Sequence, residues 1–312
     1  MEIVGVPFDL CGFRLGSRLG PAAVRLAELS VALESMGFTV VDNGDVTVPH
    51  YQEKFHEPGL KHFGSACAMY EDLFNRVTSA LNAGRRPIVI GGDHSLSIGS
   101  VGAALNHYGS EMALLWVDAH ADLNTPDTSP SGNLHGMPLG CLMHEPSEEH
   151  SEQWAELQRR FVPKPLKPER TGWLGLRDLD MGERQRLAKF PREYAATMSD
   201  IDRQGILAEV RRFDAWLRSS GVKHFWMSFD VDVLDPFLAP GTGTAVRGGL
   251  TYREMHLLGE VLHELMQGED CPYTLVGMDI VETNPLFDNF NATAKVAVEF
   301  VGSLFGKTIL GL

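Results

Sequence analysis

The chain has 312 residues, 44% of them hydrophobic and 22% charged, enough to bury a sizeable core without disulfide staples. Its formal net charge is -14 and its Lys and Arg form no basic patch, which excludes the usual nucleic-acid binder. No apolar run reaches the length of a bilayer span, so no membrane partner is expected.

The first predicted element is the strand EIVGV at 2–6, and the opening MEIVGVPFD lacks the basic and apolar regions of a signal peptide. Cys11, Cys67, Cys141 and Cys271 stand far apart with no CxxC pair. Free thiols in a reducing compartment follow, and the expected location is the cytoplasm. Further strands are predicted at 38–42 (FTVVD), 86–92, 112–120, 171–178, 193–198 (EYAATM), 223–232 and 274–282. Several are apolar throughout, as strands buried on both faces should be.

Helices are predicted between them. PAAVRLAELSVALESMG (21–37) has Pro near its start and Gly just past its end. Segments 65–84, 202–221 and 251–268 also end at Gly, and 291–306 closes the series. The alternation implies a parallel sheet with right-handed crossovers, one α/β domain over residues 1–312. Strand counting alone leaves both a closed barrel and an open doubly wound sheet. The polar stretch 144–170, with its four Pro, reads as a surface excursion within that domain.

Chemistry in such sheets gathers at the carboxyl ends of strands. Four motifs fall there: VIGGDH ending at His94, LLWVDAHAD with Asp118, His120 and Asp122, WMSFDVD with Asp230 and Asp232, and GMDIVE ending at Glu282. In extended backbone, positions i, i+2 and i+4 point to one face. Two neighbouring strand ends could thus aim five ligands at one point, with His94 as a sixth. Carboxylates and imidazoles without thiolate favour Mn(II) above Zn(II). Four carboxylates would leave one divalent ion in a strongly negative site, whereas two ions balance it. Such ions lower the pKa of bound water. GGDH taken alone is often just a turn, and FDVD could be a capped loop. Unpaired polar groups leaving a buried strand are costly, however.

At this point the chain resembles the ureohydrolase family of arginases, agmatinases and relatives, most closely its bacterial arginases. GVPFDLCGFRLGSRLGPAAVR, GGDHS, DAHADLNTP, SGNLHG, SFDVDVLDP, GTGTAVRGGLTYRE and MDIVETNP carry the resemblance over nearly the whole chain. It implies the open sheet of about eight mostly parallel strands with helices on both faces, and two Mn(II) ions. By motif, His94, Asp118, Asp122 and Asp230 would hold one ion. Asp118, His120, Asp230 and Asp232 would hold the other, with Asp118 and Asp230 bridging.

The resemblance further implies L-arginine and water as substrates, and L-ornithine and urea as products. Asn124, Ser129, Ser131 and Asn133 would bind the α-carboxylate and α-amino end, directly or through water, and Asp180 the α-ammonium. Asp122 would accept a hydrogen bond from the nucleophile, Glu282 would pair with the guanidinium, Thr244 would assist, and His135 would shuttle a proton. A homo-oligomer, trimer or hexamer, is implied. Val233 and Gly241 also fit agmatinases, so agmatine or another guanidino compound is the nearest alternative. A non-catalytic metal-binding regulator on the same fold is an alternative of another class.

Overall fold

The computed structural model describes residues 1–49, 59–190 and 194–308. Among them are eight strands: β1 (Glu2–Val6), β2 (Val41–Asp45), β3 (Pro87–Gly91), β4 (Met112–Val117), β5 (Thr171–Leu176), β6 (Ala195–Thr197), β7 (His224–Asp230) and β8 (Thr274–Val281). Each expected strand is present. Only β2 is displaced, because its ladder on β1 starts with Glu2 opposite Val41. The expected 193–198 strand began at Glu193, which lies outside the described residues.

The described helices are α1 (Gly20–Leu26), α2 (Leu29–Ser35), α3 (Phe63–Asn82), α4 (Ser97–Tyr108), α5 (Pro138–Leu142), α6 (Ser151–Phe161), α7 (Met181–Leu187), α8 (Met198–Gln204), α9 (Ile206–Ser220), α10 (Tyr252–Gln267) and α11 (Ala292–Leu304). Two predicted helices are each broken in two. Glu28 takes a left-handed conformation at φ 66°, and Gly205 a positive-φ one open chiefly to glycine, at φ 83° and ψ 149°. The first break has a packing reason. Ala23 and Val24 are buried in the same core as Leu29 and Leu33. In one continuous helix those two pairs would lie on nearly opposite faces. Residues 144–170 hold α6, whose Trp154, Leu157 and Phe161 are buried; the Phe161 ring meets Tyr70 of α3 edge-on.

The strands form one parallel sheet in the order β2-β1-β3-β8-β7-β4-β5-β6. Alternate side chains feed two cores. Ile88, Ile90, Leu115 and Val117 pack on one face with α1, α2 and α8–α11. Val89, Leu114 and Trp116 pack on the other with α3–α6. The sheet is therefore open and doubly wound, covered on both faces. Beyond β3 the chain skips two places to β4, and β8 and β7 later fill the gap. That reversal of strand order is where such sheets form a crevice at their carboxyl ends.

Candidate metal centre and substrate cleft

The four central strands, β3, β8, β7 and β4, deliver the constellation. His94 follows β3, Glu282 follows β8, Asp230 ends β7, and Asp118 follows β4. The extended backbone expected from Asp118 to Asp122 is absent: β4 stops at Val117, and Asp122 sits at φ 49°. Asp232 lies in a 3-10 turn, Val231–Val233. The predicted side chains still converge, because loops rather than a continuing strand aim them.

Two sets of mutually close donor atoms result: His94, Asp118 and Asp122, and Asp118, His120 and Asp232. His94 Nδ1 lies 3.1 Å from Asp118 Oδ2, 3.2 Å from Asp122 Oδ2 and 3.1 Å from Asp230 Oδ2. It is buried, yet aligned for a hydrogen bond to none of them. His120 Nδ1 lies 3.3 Å from Asp118 Oδ1 and 3.1 Å from Asp232 Oδ2. The carboxylates are oriented by backbone N–H donors: His120 to Asp118 Oδ1, Asp232 to Asp230 Oδ1, and Ala119 to Asp232 Oδ1. Thr244 Oγ1 donates to Asp232 Oδ2 at 2.8 Å.

The charges conflict as they stand. Burial and the neighbouring Asp118 push Asp122 up to about 6. Burial, then Asp232 and Asp118, raise Asp230 well above the usual carboxylate range. Burial and Asp118 raise Asp232 as well. Burial opposes charge on His94, but the three carboxylates around it hold its pKa well above the ordinary value. Divalent cations would relieve this conflict. An unaligned imidazole nitrogen facing three oxygens, with a second imidazole among carboxylates, fits a pair of such ions.

A supporting layer surrounds the centre. The His94 ring stacks on Trp116 at 3.9 Å, and its Nε2 meets Ser228 Oγ at 2.8 Å. Ser228 and Ser97 both donate to the buried carboxylate of Asp279. Glu282 Oε1 accepts from the His94 backbone N–H at 2.9 Å and lies 3.3 Å from His135 Nδ1. Gly175 closes the approach from β5: at φ 99°, an added Cβ would lie 2.4 Å from Val233 Cγ2.

A cleft of about 150 Å³ opens onto this centre, lined by Phe13, His120, Asp122, Asp230, Thr244 and His135. Asn124, Ser129, Pro130, Ser131, Asp180 and Glu183 also line it. Asn124 Nδ2 donates to Asp180 Oδ2 at 2.6 Å. Asp180 also caps α7, in a reciprocal box with Glu183. Asn133 and Glu282 are not among the lining residues. A larger open groove, about 700 Å³ beside Arg170, Arg212 and Trp216, contains none of the constellation, which opens instead onto the smaller cleft.

Sequence reasoning missed two residues. Glu183 is buried in the cleft wall, where burial and Asp122 push it up to about 8. The capping pattern D-x-x-E was its signal. Arg177 donates to the carbonyls of Asp232, Val233 and Val246, tying together the loop beyond β7. A cation in GLRD at a strand end was visible, but its acceptors are backbone and leave no mark in sequence.

The family model described as Arginase family matches residues 1–306. The arginase of Staphylococcus aureus (strain COL) is 41% identical over 313 residues, covering 99% of this chain and 98% of that protein. The arginase of Bacillus subtilis (strain 168) is 39% identical over 310 residues, covering 99% of each. The structure of arginase from Bacillus caldovelox superposes with a TM-score of 0.88 at 36% identity, covering 99% of this chain and 98% of that one.

Proposed function

The chain belongs to the arginase family, and on that premise we propose that it hydrolyses L-arginine to L-ornithine and urea. One observation carries the substrate: a single cleft joins the acidic centre at His120, Asp122 and Asp230 to Asn124, Ser129, Ser131 and Asp180. The first suits a guanidinium, and the second suits an α-amino acid head, since hydroxyls and amides pair with either charge.

His94, Asp118, Asp122 and Asp230 would hold one Mn(II), and Asp118, His120, Asp230 and Asp232 the other. When bound, the two ions would lower the pKa of a water and so supply the nucleophile for the guanidinium carbon. Asp122 accepts a hydrogen bond from the attacking water. Glu282 Oε1 is occupied by the His94 N–H, leaving Oε2 for the guanidinium. Thr244 keeps Asp232 oriented through its hydroxyl. His135, at the cleft wall and within reach of Glu282, carries a proton to the leaving amine; burial lowers its pKa, but Glu282 raises it overall. Asp180 receives the α-ammonium, Asn124, Ser129 and Ser131 the carboxylate, and Asn133 acts at that end through the loop or a water.

Val233 and Gly241 do not favour agmatine. Val233 packs against Gly175, and the Gly241 N–H donates to Thr293, so both serve the scaffold. Four free cysteines support a reducing cytoplasm. A homo-oligomer, trimer or hexamer, belongs to the same proposal. The substrate test is urea release from arginine and from agmatine. Hydrogen bonds to charged groups are worth about 1.5–3 kcal/mol each, so two or three give arginine at least about a hundredfold advantage in kcat/KM. Equal rates would overturn the reading.

A further inference from the structure

We infer that Lys61 sets the preference for a substrate bearing an α-carboxylate, by locking the 129–133 loop through Asn133. This rests on the arginine reading of the cleft. Lys61 is exposed, two residues before α3, and it reaches the loop from outside the cleft. Its Nζ donates to the Ser131 carbonyl at 2.6 Å and to Asn133 Oδ1 at 2.9 Å. Its stem lies against the loop as well, since a Cβ on Gly132 would sit 3.7 Å from Lys61 Cε. Asn133 Nδ2 donates in turn to the Gly12 carbonyl at 3.3 Å. The carboxamide is thus strapped between Lys61 and the turn after β1.

The strap has a chemical consequence inside the cleft. Ser129 Oγ accepts from the Gly132 N–H at 3.0 Å, and Ser131 Oγ from the Asn133 N–H at 3.2 Å. The two hydroxyls also face each other at 3.5 Å, so at least one of the pair keeps its proton to donate to an anion. The charged lining, by contrast, is acidic: Asp122, Asp180, Glu183 and Asp230, with His120 and His135. Among the described residues, no Lys or Arg lines the cleft. With Asp122 and Asp230 compensated by the ions, Asp180 still stands at the amino-acid end of the cleft, where a substrate carboxylate would meet it. Lys61 places a positive charge immediately behind the hydroxyls without offering the guanidinium a competing cation. Arg14 lies over two rings, Phe287 at 5.1 Å and Phe13 at 5.8 Å, and is not among the cleft's lining residues. Lys61 is therefore a positioning residue, and its effect belongs to one end of the substrate.

The test uses the full-length, metal-loaded protein with Lys61→Gln and with Lys61→Met, which keeps the stem and removes the charge. Calorimetric titration with L-ornithine and with putrescine, which lacks the carboxylate, reads the two ends separately. L-Ornithine affinity should fall about tenfold in both variants and putrescine affinity by less than about twofold. The KM for arginine should rise with ornithine Kd, the arginine-to-agmatine ratio in kcat/KM should narrow about tenfold, and Lys61→Arg should restore most of both. Equal weakening of ornithine and putrescine, or an unchanged preference in both variants, would overturn the role of Lys61 alone. A parent protein with no preference for arginine would overturn the substrate reading, and this inference with it.

Discussion

Replacing Asp118 or Asp230 by Asn removes a charge from the most crowded point of the site while leaving nearly the same shape. Asp118 Oδ2 faces His94 while Oδ1 belongs to the set around His120. Each Asn variant should therefore lose bound metal and activity together. His135→Asn should behave differently, keeping both ions and turning over slowly, because its Nδ1 faces Glu282 and not the donor sets. Metal content by elemental analysis beside urea release distinguishes the two classes, and two full equivalents of metal in Asp118→Asn would remove it from the ligand set. At this scale the sequence was most legible where a residue type is rare in its setting. Asp and His ending apolar strands stood out, and the fold brings His94, Asp118, His120, Asp122, Asp230 and Asp232 together. Asn133 was read through the resemblance carried by SGNLHG, and its partner Lys61 lies 72 residues away, so no local pattern could connect them.

At the scale of elements, the strands other than β2 were visible because their apolar runs are short and bounded by turns, whereas β2 is the exposed VDNGD. What failed was continuity. The period of two picked out Asp118, His120 and Asp122, although the strand ends before them and Asp122 takes a left-handed conformation. The helix α4 escaped notice because SIGSVGAALNHY is small and mostly buried, with no polar face to mark its period. Gly175 shows how tightly the strand ends are fitted. Gly175→Ala meets both a positive φ and the Val233 methyl at 2.4 Å. It should cost about 1–3 kcal/mol of stability and displace the turn that carries Asp232. Thermal unfolding and Mn(II) titration would check this, and an unaltered metal affinity would show that the turn tolerates the shift.

For the whole molecule, buried acids make stability depend on pH. Glu183 is 4% exposed and pushed up to about 8 by burial and then by Asp122. Its folded pKa lies above the unfolded one, so the folded state holds the extra proton between them. Stability from this group is therefore lost as pH rises from about 4.5 through about 8, at up to about 1.4 kcal/mol per pH unit. Glu183→Gln should gain several degrees of Tm over the parent at pH 8 and much less at pH 5, and a pH-independent difference would contradict the shift. The strand order carries a consequence for how the protein comes into being. His94 and the Asp118–Asp122 loop are made early, but Asp230, Asp232 and Glu282 arrive with β7 and β8, which must be inserted between β3 and β4. The His94 N–H to Glu282 bond spans 188 residues. A growing chain therefore passes about a third of its synthesis, from Asp122 to Asp230, with His94, Asp118, His120 and Asp122 made and the β7 carboxylates still to come. Long-range strand insertion is slow. The donor set of Asp118, His120 and Asp232 is thus complete only once β7 has docked, so its occupancy by an ion would report that this late strand is in place.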